Sequence, residues 1–217
     1  VLASLTAAFA VALAVPDAAG TRERPPAASV WPVMRRPEVI AFFAACFFMA
    51  VAHGPLYAFY SIHLAGNGYS KTLVGAMWSL GVVAEIAVFL AMPQLALRFD
   101  MRKLLAFSFA CGVVRFVLIG WMVESRALMA LAQLLHAATF GLYHATAVSF
   151  INRWFDGALR ARGQALYMSL TFGAGGMLGS FGSGLAWERY GAALTYGAAA
   201  VCCLAGNVLI LWKLRRP

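Results

Sequence analysis

The chain has 217 residues, of which 63% are hydrophobic and 12% charged, and its formal net charge is +9. Soluble domains are about 45–50% apolar and about 25% charged, so a soluble fold of this composition would expose an apolar surface prone to aggregation. The composition predicts an integral membrane protein without room for a soluble catalytic domain. The basic residues form short clusters between apolar runs, which argues against a nucleic-acid-binding surface.

The chain starts within an apolar run, residues 1–15, which is too short to span a bilayer and has no basic residues before it. We interpret this run as the end of a transmembrane helix whose start lies outside the sequence. Residues 16–38 are rich in proline and charge, and they are predicted to form a basic cytoplasmic linker. Residues 39–217 follow as a predicted bundle of six transmembrane helices.

The predicted bundle contains six apolar runs, each near the roughly 20 residues that a spanning helix needs. Their predicted limits are residues 40–64, 73–92, 104–123, 127–151, 164–187 and 192–211. Basic residues lie mostly on one side of these spans: 13 on the side of the linker and C-terminus, and 3 on the other. Cytoplasmic loops carry the excess of Lys and Arg, so the linker and the C-terminus are predicted to be cytoplasmic.

Four ionisable residues lie near the centres of four consecutive spans, namely His53, Glu85, Arg115 and His136. A charge at the bilayer centre costs about 2.5–3.5 kcal/mol, so these residues need partners or an aqueous cavity. Glu85 and Arg115 are the predicted ion pair. One interpretation is a tie between helices, and the favoured one is a polar cavity with proton-exchanging groups. A metal site is not predicted, because the candidate ligands come from separate helices without a local motif.

Aromatic residues follow these histidines at helical spacing. Tyr57 and Tyr60 follow His53 on one face of the first span, either as packing residues or as the wall of a substrate cavity. The intervening Gly54-Pro55 predicts a broken helix that faces either a cavity or packed protein.

In the fourth span, His136, Phe140 and Tyr143 are predicted to share a face, with Phe140 and Tyr143 as further cavity residues. His144 is predicted to lie well round the helix from His136, as a packing residue.

Small residues of the fifth span form two ridges that predict close helix packing or a sliding contact. The first ridge is Gly175, Gly179 and Ser183, and the second is Gly176, Ser180 and Gly184.

These features resemble a known family. Six spans behind a basic linker and a partial helix look like the C-terminal half of a major facilitator superfamily transporter. The order of the motifs is similar to the branch of phenylpropionate-transporter-like and lactose-permease-like proton symporters. The stretches that carry the resemblance are His53-Gly54-Pro55 with Tyr57 to Tyr60, Gly75 to Glu85, Arg115, Thr139-Phe140-Gly141 with His144, Arg162 to Tyr167, Phe172 to Gly179 and Trp187-Glu188.

The resemblance implies an all-α membrane fold of twelve helices in two halves that work by alternating access. It implies that Glu85, Arg115 and His136 couple protons, although the fourth span lacks an acidic residue beside His136. The loop after the second span is similar to the family's basic loop, without its usual glycines. It is expected to form a cytoplasmic gate from Arg98, Asp100, Arg102 and Lys103.

We therefore expect a multi-pass transporter of the bacterial inner membrane that symports protons with a small organic solute, either an aromatic acid or a sugar-like molecule. The proton is the expected coupling ion, without another cofactor. The expected partners are the substrate, the lipid bilayer and an N-terminal six-helix half, but not nucleic acid. An enzyme is not expected, because no Ser/His/Asp or Cys/His pair has a workable spacing. The alternative is a non-transporting sensor or scaffold on the same fold.

Overall fold

The computed structural model of the protein describes residues 6, 9–11, 13–14 and 29–214. Its elements, in chain order, are α1 (Trp31–Met34), α2 (Pro37–Gly66), α3 (Lys71–Arg98), α4 (Met101–Trp121), α5 (Arg126–Leu134), the π-helix π1 (Ala137–Leu142), α6 (Tyr143–Trp154), a 3₁₀ turn (Gly157–Leu159), α7 (Arg160–Met168), the π-helix π2 (Ser169–Gly175) and α8 (Gly176–Lys213). Most of the predicted partial helix, and the linker up to residue 28, lie outside the described residues. Residues 6, 9–11 and 13–14 are helical.

The predicted spans match helices within a few residues. α2, α3 and α4 are the first three, and α5, π1 and α6 together form the fourth, Arg126–Trp154. The fifth and sixth belong to one helical run of 57 residues, Gly157–Lys213, which is far longer than one crossing requires. This run is interrupted at Gly191, where φ is 75° and ψ is −177°. That conformation is essentially restricted to glycine, so Gly191 marks a turn between two arms of α8.

The first arm of α8, before Gly191, runs in the same direction as α2. A Cβ atom on Gly54 would overlap the backbone of Gly179, which places these two residues side by side. Further along both helices, the rings of Phe59 and Trp187 stack with their centroids 4.6 Å apart. Residue numbers therefore increase together along the two helices.

The second arm of α8 returns in the opposite direction. The Tyr196 hydroxyl donates to the Pro55 carbonyl over 3.3 Å, whereas Cys203 Sγ lies 4.0 Å from Met49 Sδ, further back along α2. α8 is therefore a hairpin of two crossings, and together with the first four spans it gives the six spans that the sequence predicts.

The bundle is built around α2, while α3 lies at its edge. In the most apolar stretch of α2, 67% of residues are buried, compared with 11% in α3. α3 is held against the fourth span, and its other face leaves large apolar side chains uncovered, among them Val83, Ile86 and Leu90. The acidic residue Glu85 is therefore carried by the helix with the least packing in this bundle.

The predicted break of the first span at Gly54-Pro55 is wrong, because α2 is helical from Pro37 to Gly66. Proline removes the hydrogen bond that would reach the carbonyl four residues earlier, at Val51. A Cβ atom on Gly179 would lie 2.5 Å from this Val51 oxygen, so α8 approaches it closely. Close packing by a neighbouring helix therefore covers the freed oxygen, and the helix continues.

Candidate functional site

The acidic residue of α3 faces the fourth span. A Cβ atom on Gly141 of π1 would lie 3.1 Å from Glu85 Cγ, so the missing side chain lets α3 approach closely. Glu85 Oε2 lies 3.5 Å from His136 Nε2, and the side chains are 16% and 8% exposed. Glu85 and His136 therefore form an ion pair, in the interior of two spans, when the imidazole is protonated and the carboxyl is ionised.

Arg115 is fully buried in α4, and its guanidinium points into the fourth span. Its Nε donates to the Ala132 carbonyl over 2.9 Å, its Nη1 to Thr139 Oγ1 over 2.9 Å, and its Nη2 to Gln133 Oε1 over 3.4 Å. Ala132 lies in the last turn of α5, just before the span continues into π1.

The predicted Glu85–Arg115 ion pair is therefore wrong. Three neutral acceptors of the fourth span hold the guanidinium, and His136 faces Glu85 instead. The two charged residues contact different residues of the same span.

His53 occupies the centre of α2 with one fixed and one open ring nitrogen. Its Nδ1 lies 2.9 Å from the Met49 carbonyl, and because a carbonyl only accepts, Nδ1 carries the hydrogen. Nε2 is then an acceptor, and it has no hydrogen-bond partner among the described residues. Nδ1 of His136 likewise has no hydrogen-bond partner among the described residues. The ring centroids of His53 and His136 are 6.5 Å apart. Both histidines are buried, with 5% and 6% of their surface exposed.

An open pocket lies beside this cluster, between the first, fourth and fifth spans. Its lining consists of Met49, Ala50, His53, Gly54, Tyr57, Thr139, Phe140, Tyr143, Thr171, Phe172, Gly176 and Ser180. Four of the five predicted cavity residues are in this set. The fifth, Tyr60, is fully buried against Trp78, outside the pocket. Tyr57 is 54% exposed and stacks on the same tryptophan. It is therefore the accessible tyrosine of the aromatic cluster formed by Tyr57, Tyr60 and Trp78.

The predicted position of His144 is also wrong. Phe140 stacks on His136 with an angle of 20° between the rings, and His144 stacks on Phe140 with an angle of 12°. The prediction assumed α-helical periodicity, but this segment is the π-helix π1, whose turns contain an additional residue. The wider turn brings His144 back to the face of His136, where its Nδ1 lies 3.3 Å from the Tyr167 hydroxyl.

The two small-residue ridges of the fifth span have different surroundings. Gly175 and Gly179 pack on the backbone and small side chains of α2, where an added Cβ would overlap Ala50 or Val51. Gly176 and Ser180 line the pocket. The first ridge therefore positions the span, and the second leaves space for a ligand.

The predicted gate residues lie at the end of the bundle that carries the basic loops, which we call the basic end. Asp100 Oδ1 accepts from the backbone amides of Arg102 and Lys103 and so caps the start of α4. The Arg102 guanidinium donates to the carbonyls of Ile210 and Leu211 near the end of α8. Arg98 and Lys103 are exposed. These contacts join helix ends, and the gate role stays a prediction.

The two side chains that accept from Arg115 were not among the predicted site residues. Gln133 and Thr139 are both fully buried and serve as acceptors for Arg115. A glutamine within an apolar span is rare enough to have indicated a buried partner. Phe172 of the pocket gives no such indication, because a phenylalanine in a membrane span is ordinary.

Comparisons with known proteins give one family and several relatives. The sequence model of the family described as "MFS_1 like family" matches residues 3–198. The probable 3-phenylpropionic acid transporter of Escherichia coli (strain K12) is 32% identical over 164 residues, which cover 73% of this chain and 41% of that protein. The putative nucleoside transporter YegT of the same organism is 30% identical over 166 residues, or 72% of this chain and 37% of that protein.

The xanthosine permease of the same organism is 25% identical over 115 residues, which cover 52% of this chain and 28% of that protein. The matches thus span about two-fifths of the length of these relatives, or less.

Proposed function

Since this chain belongs to the MFS_1-like family of major facilitator transporters, we propose that it contributes half of a proton-coupled symporter for a small organic solute. The observation that carries this proposal is the Glu85–His136 contact of 3.5 Å in the interior of the spans. Among the described residues, Glu85 is the single acidic side chain distant from a helix end or loop. Its protonation would therefore change the charge of the membrane interior.

The charges of the cluster link this protonation to a substrate. Arg115 stays protonated because a guanidinium holds its proton strongly, and its neutral acceptors leave this positive charge uncompensated. With Glu85 ionised, the two charges cancel. With Glu85 protonated, one positive charge remains in a medium where charge is costly, and an anionic substrate in the pocket would neutralise it. Proton and anion are therefore favoured together over either one alone.

The pocket favours an aromatic acid over a sugar. Its lining combines the rings of Tyr57, Phe140, Tyr143 and Phe172 with polar side chains whose hydroxyls are already bonded within the protein at Thr139, Tyr143 and Thr171. Aromatic rings pack well on such walls, whereas a sugar needs several polar partners for its hydroxyl groups. The name of one relative, a 3-phenylpropionic acid transporter, agrees with this choice, and 3-phenylpropionate is our first probe. Nucleosides, after the names of the other relatives, form the second probe set.

We place the basic end on the cytoplasmic side of a bacterial inner membrane, following the distribution of Lys and Arg. An N-terminal six-helix half would cover the open side of the pocket and the uncovered face of α3. In this arrangement Arg98, Asp100, Arg102 and Lys103 lie at the cytoplasmic entrance, where the Arg102 contact with the end of α8 would form and break as a gate.

Glu85→Gln tests the proposal in the complete protein reconstituted in proteoliposomes. The variant keeps the shape of the side chain but cannot release a proton. We expect a proton gradient to drive accumulation of 3-phenylpropionate in the wild type, with at least a tenfold loss in Glu85→Gln, while exchange of internal for external substrate persists. Glu124→Gln, in an exposed loop, is the control and should accumulate normally.

Full accumulation by Glu85→Gln would refute the role of Glu85. A wild-type protein that binds the probes without moving them would favour the sensor or scaffold instead.

A further inference from the structure

His53 differs from the other ionisable residues of the cluster because it lines the pocket, whereas Glu85, Arg115 and His136 do not. Its open Nε2 belongs to a ring that is 5% exposed and whose other nitrogen is fixed by the Met49 carbonyl. A buried ring nitrogen without a partner is costly, and such atoms usually meet water or a ligand. Among the ionisable residues of the cluster, His53 is thus the one that a substrate in the pocket can contact directly.

The chemistry of this nitrogen limits what it can bind. Neutral His53 offers only a lone pair at Nε2, and a carboxylate also offers only lone pairs. The two can form a hydrogen bond only if a proton lies between them. A carboxylate that binds at His53 therefore binds together with a proton, and a neutral amide, which brings its own N–H, does not need one.

A path for this proton exists through His136. Protonated Glu85 can donate through its O–H to His136 Nε2, and the hydrogen of His136 then lies on Nδ1, directed away from Glu85. The centroids of the two imidazoles are 6.5 Å apart, and His136 Nδ1 and His53 Nε2 are the ring nitrogens of this pair without a partner among the described residues, so we infer that one water bridges them. When the Glu85 proton moves to His136 Nε2, the Nδ1 proton moves to His53 Nε2, leaving ionised Glu85, neutral His136 and protonated His53.

The groups around His53 make this transfer depend on the substrate. The charged and titratable groups that face the ring are Tyr57 on α2 itself, Glu85 on α3 behind His136, Arg115 on α4 and His136 on the fourth span. The fifth span contributes neutral pocket residues only. A positive charge on His53 would repel the Arg115 charge, so it needs a nearby anion. A carboxylate in the pocket supplies that anion.

We propose that His53 receives the transported proton when a substrate carboxylate enters the pocket, so that proton and substrate bind at the same imidazole. This inference rests on the proposed symport function and adds a proton-accepting residue to it. It also assigns the substrate class as a monocarboxylic acid with an aromatic ring, bound with one proton.

The test compares His53→Gln with wild type in the complete purified protein. Glutamine places a hydrogen-bonding amide near the position of Nε2 but cannot carry a proton. Binding of 3-phenylpropionate and of its neutral amide is measured by the fluorescence of Trp78, which stacks on Tyr57 of the pocket. Proton uptake on binding is measured with a pH-sensitive dye in weakly buffered solution.

We expect the wild type to take up about one proton for each acid bound, and none for the amide. In His53→Gln we expect this uptake to disappear and the affinity for the acid to fall at least tenfold, while the affinity for the amide changes less than twofold. His63→Gln is the matched control, because His63 is a buried histidine of the same helix that bonds the Ile119 carbonyl outside the pocket. It should retain proton uptake.

The outcomes separate this inference from the proposed function. If Glu85→Gln loses accumulation but His53→Gln keeps proton uptake and affinity for the acid, His53 is not the acceptor and the symport proposal stands. If wild type binds neither probe set, the proposed function fails and the inference fails with it. If His53→Gln does not fold, His53→Asn, which preserves the Nδ1 contact with Met49, gives the same comparison.

Discussion

The hydrogen-bond partners of Arg115 differ from the partner that the residue types alone predict, which is Glu85. The presence of four ionisable residues at one depth is readable from the sequence, because apolar runs fix their position along each helix. Their pairing is not, because it depends on how each helix is rotated. Arg115 faces the fourth span and finds neutral oxygens, and His136 occupies the side where Glu85 approaches. The depth of each ionisable residue in the membrane is thus set by the sequence of its own helix, whereas the direction of its side chain is set by how the helices pack.

Substitution of Thr139 tests how much these neutral acceptors contribute to the stability of the protein. Thr139→Val keeps the shape of the side chain but removes the acceptor for Arg115 Nη1, and this leaves a buried charged donor without its partner. We expect a loss of about 1–3 kcal/mol in the free energy of unfolding, because unsatisfied buried groups cost roughly that amount. Thermal unfolding of the detergent-solubilised complete protein measures the change.

The control for this substitution is Thr146→Val in α6. Thr146 is equally buried, but its hydroxyl bonds backbone carbonyls of its own span, at Leu142 and Tyr143. Its loss leaves no charged group unpaired, so the unfolding temperature should fall less. Equal shifts in the two variants would mean that Thr139 contributes nothing specific to Arg115.

Among the elements, the contact between α2 and the first arm of α8 is the closest. The sequence predicts two ridges of small residues in the fifth span, but it cannot tell which ridge meets a helix and which faces open space. The structure separates them, with Gly179 against α2 and Ser180 in the pocket. The same limit applies to π1, because π-helical turns have no clear sequence pattern and they rotate every later side chain.

Gly54→Ala tests this contact. The new methyl group would overlap the backbone of Gly179, which cannot move as a flexible side chain could. We expect a destabilisation of about 1–3 kcal/mol, typical of an overpacked core, measured by thermal unfolding of the complete protein. Gly182→Ala, where no atom lies within 4 Å of the new methyl group, is the control and should unfold at the wild-type temperature. A Gly54→Ala protein as stable as this control would show that the two backbones can separate at little cost.

For the whole molecule, the six-span count was readable from hydropathy, and the hairpin at Gly191 agrees with it. The direction in which the bundle crosses the membrane stays a prediction from basic residues alone. Helix packing gives no information about it, because the same bundle could be inserted either way round.

Cysteine labelling of intact cells tests this direction. In a background with all native cysteines of the complete protein replaced by alanine, Glu124→Cys and Ala158→Cys place single thiols on exposed loops at opposite ends of the bundle. A membrane-impermeant maleimide should label Glu124→Cys in intact cells and Ala158→Cys only after the cells are opened. The reverse pattern would place the basic end outside and contradict the positive-inside assignment.

The π-helix of the fourth span also matters for reading related sequences. A π turn holds one residue more than an α turn, so the segment Ala137–Leu142 behaves as a one-residue insertion between His136 and His144. A relative with an uninterrupted α-helix here would be one residue shorter, and an ungapped alignment would pair its side chains wrongly on one side of the segment. Equivalence across this span is therefore better judged by the ring stack His136, Phe140 and His144 than by counting positions.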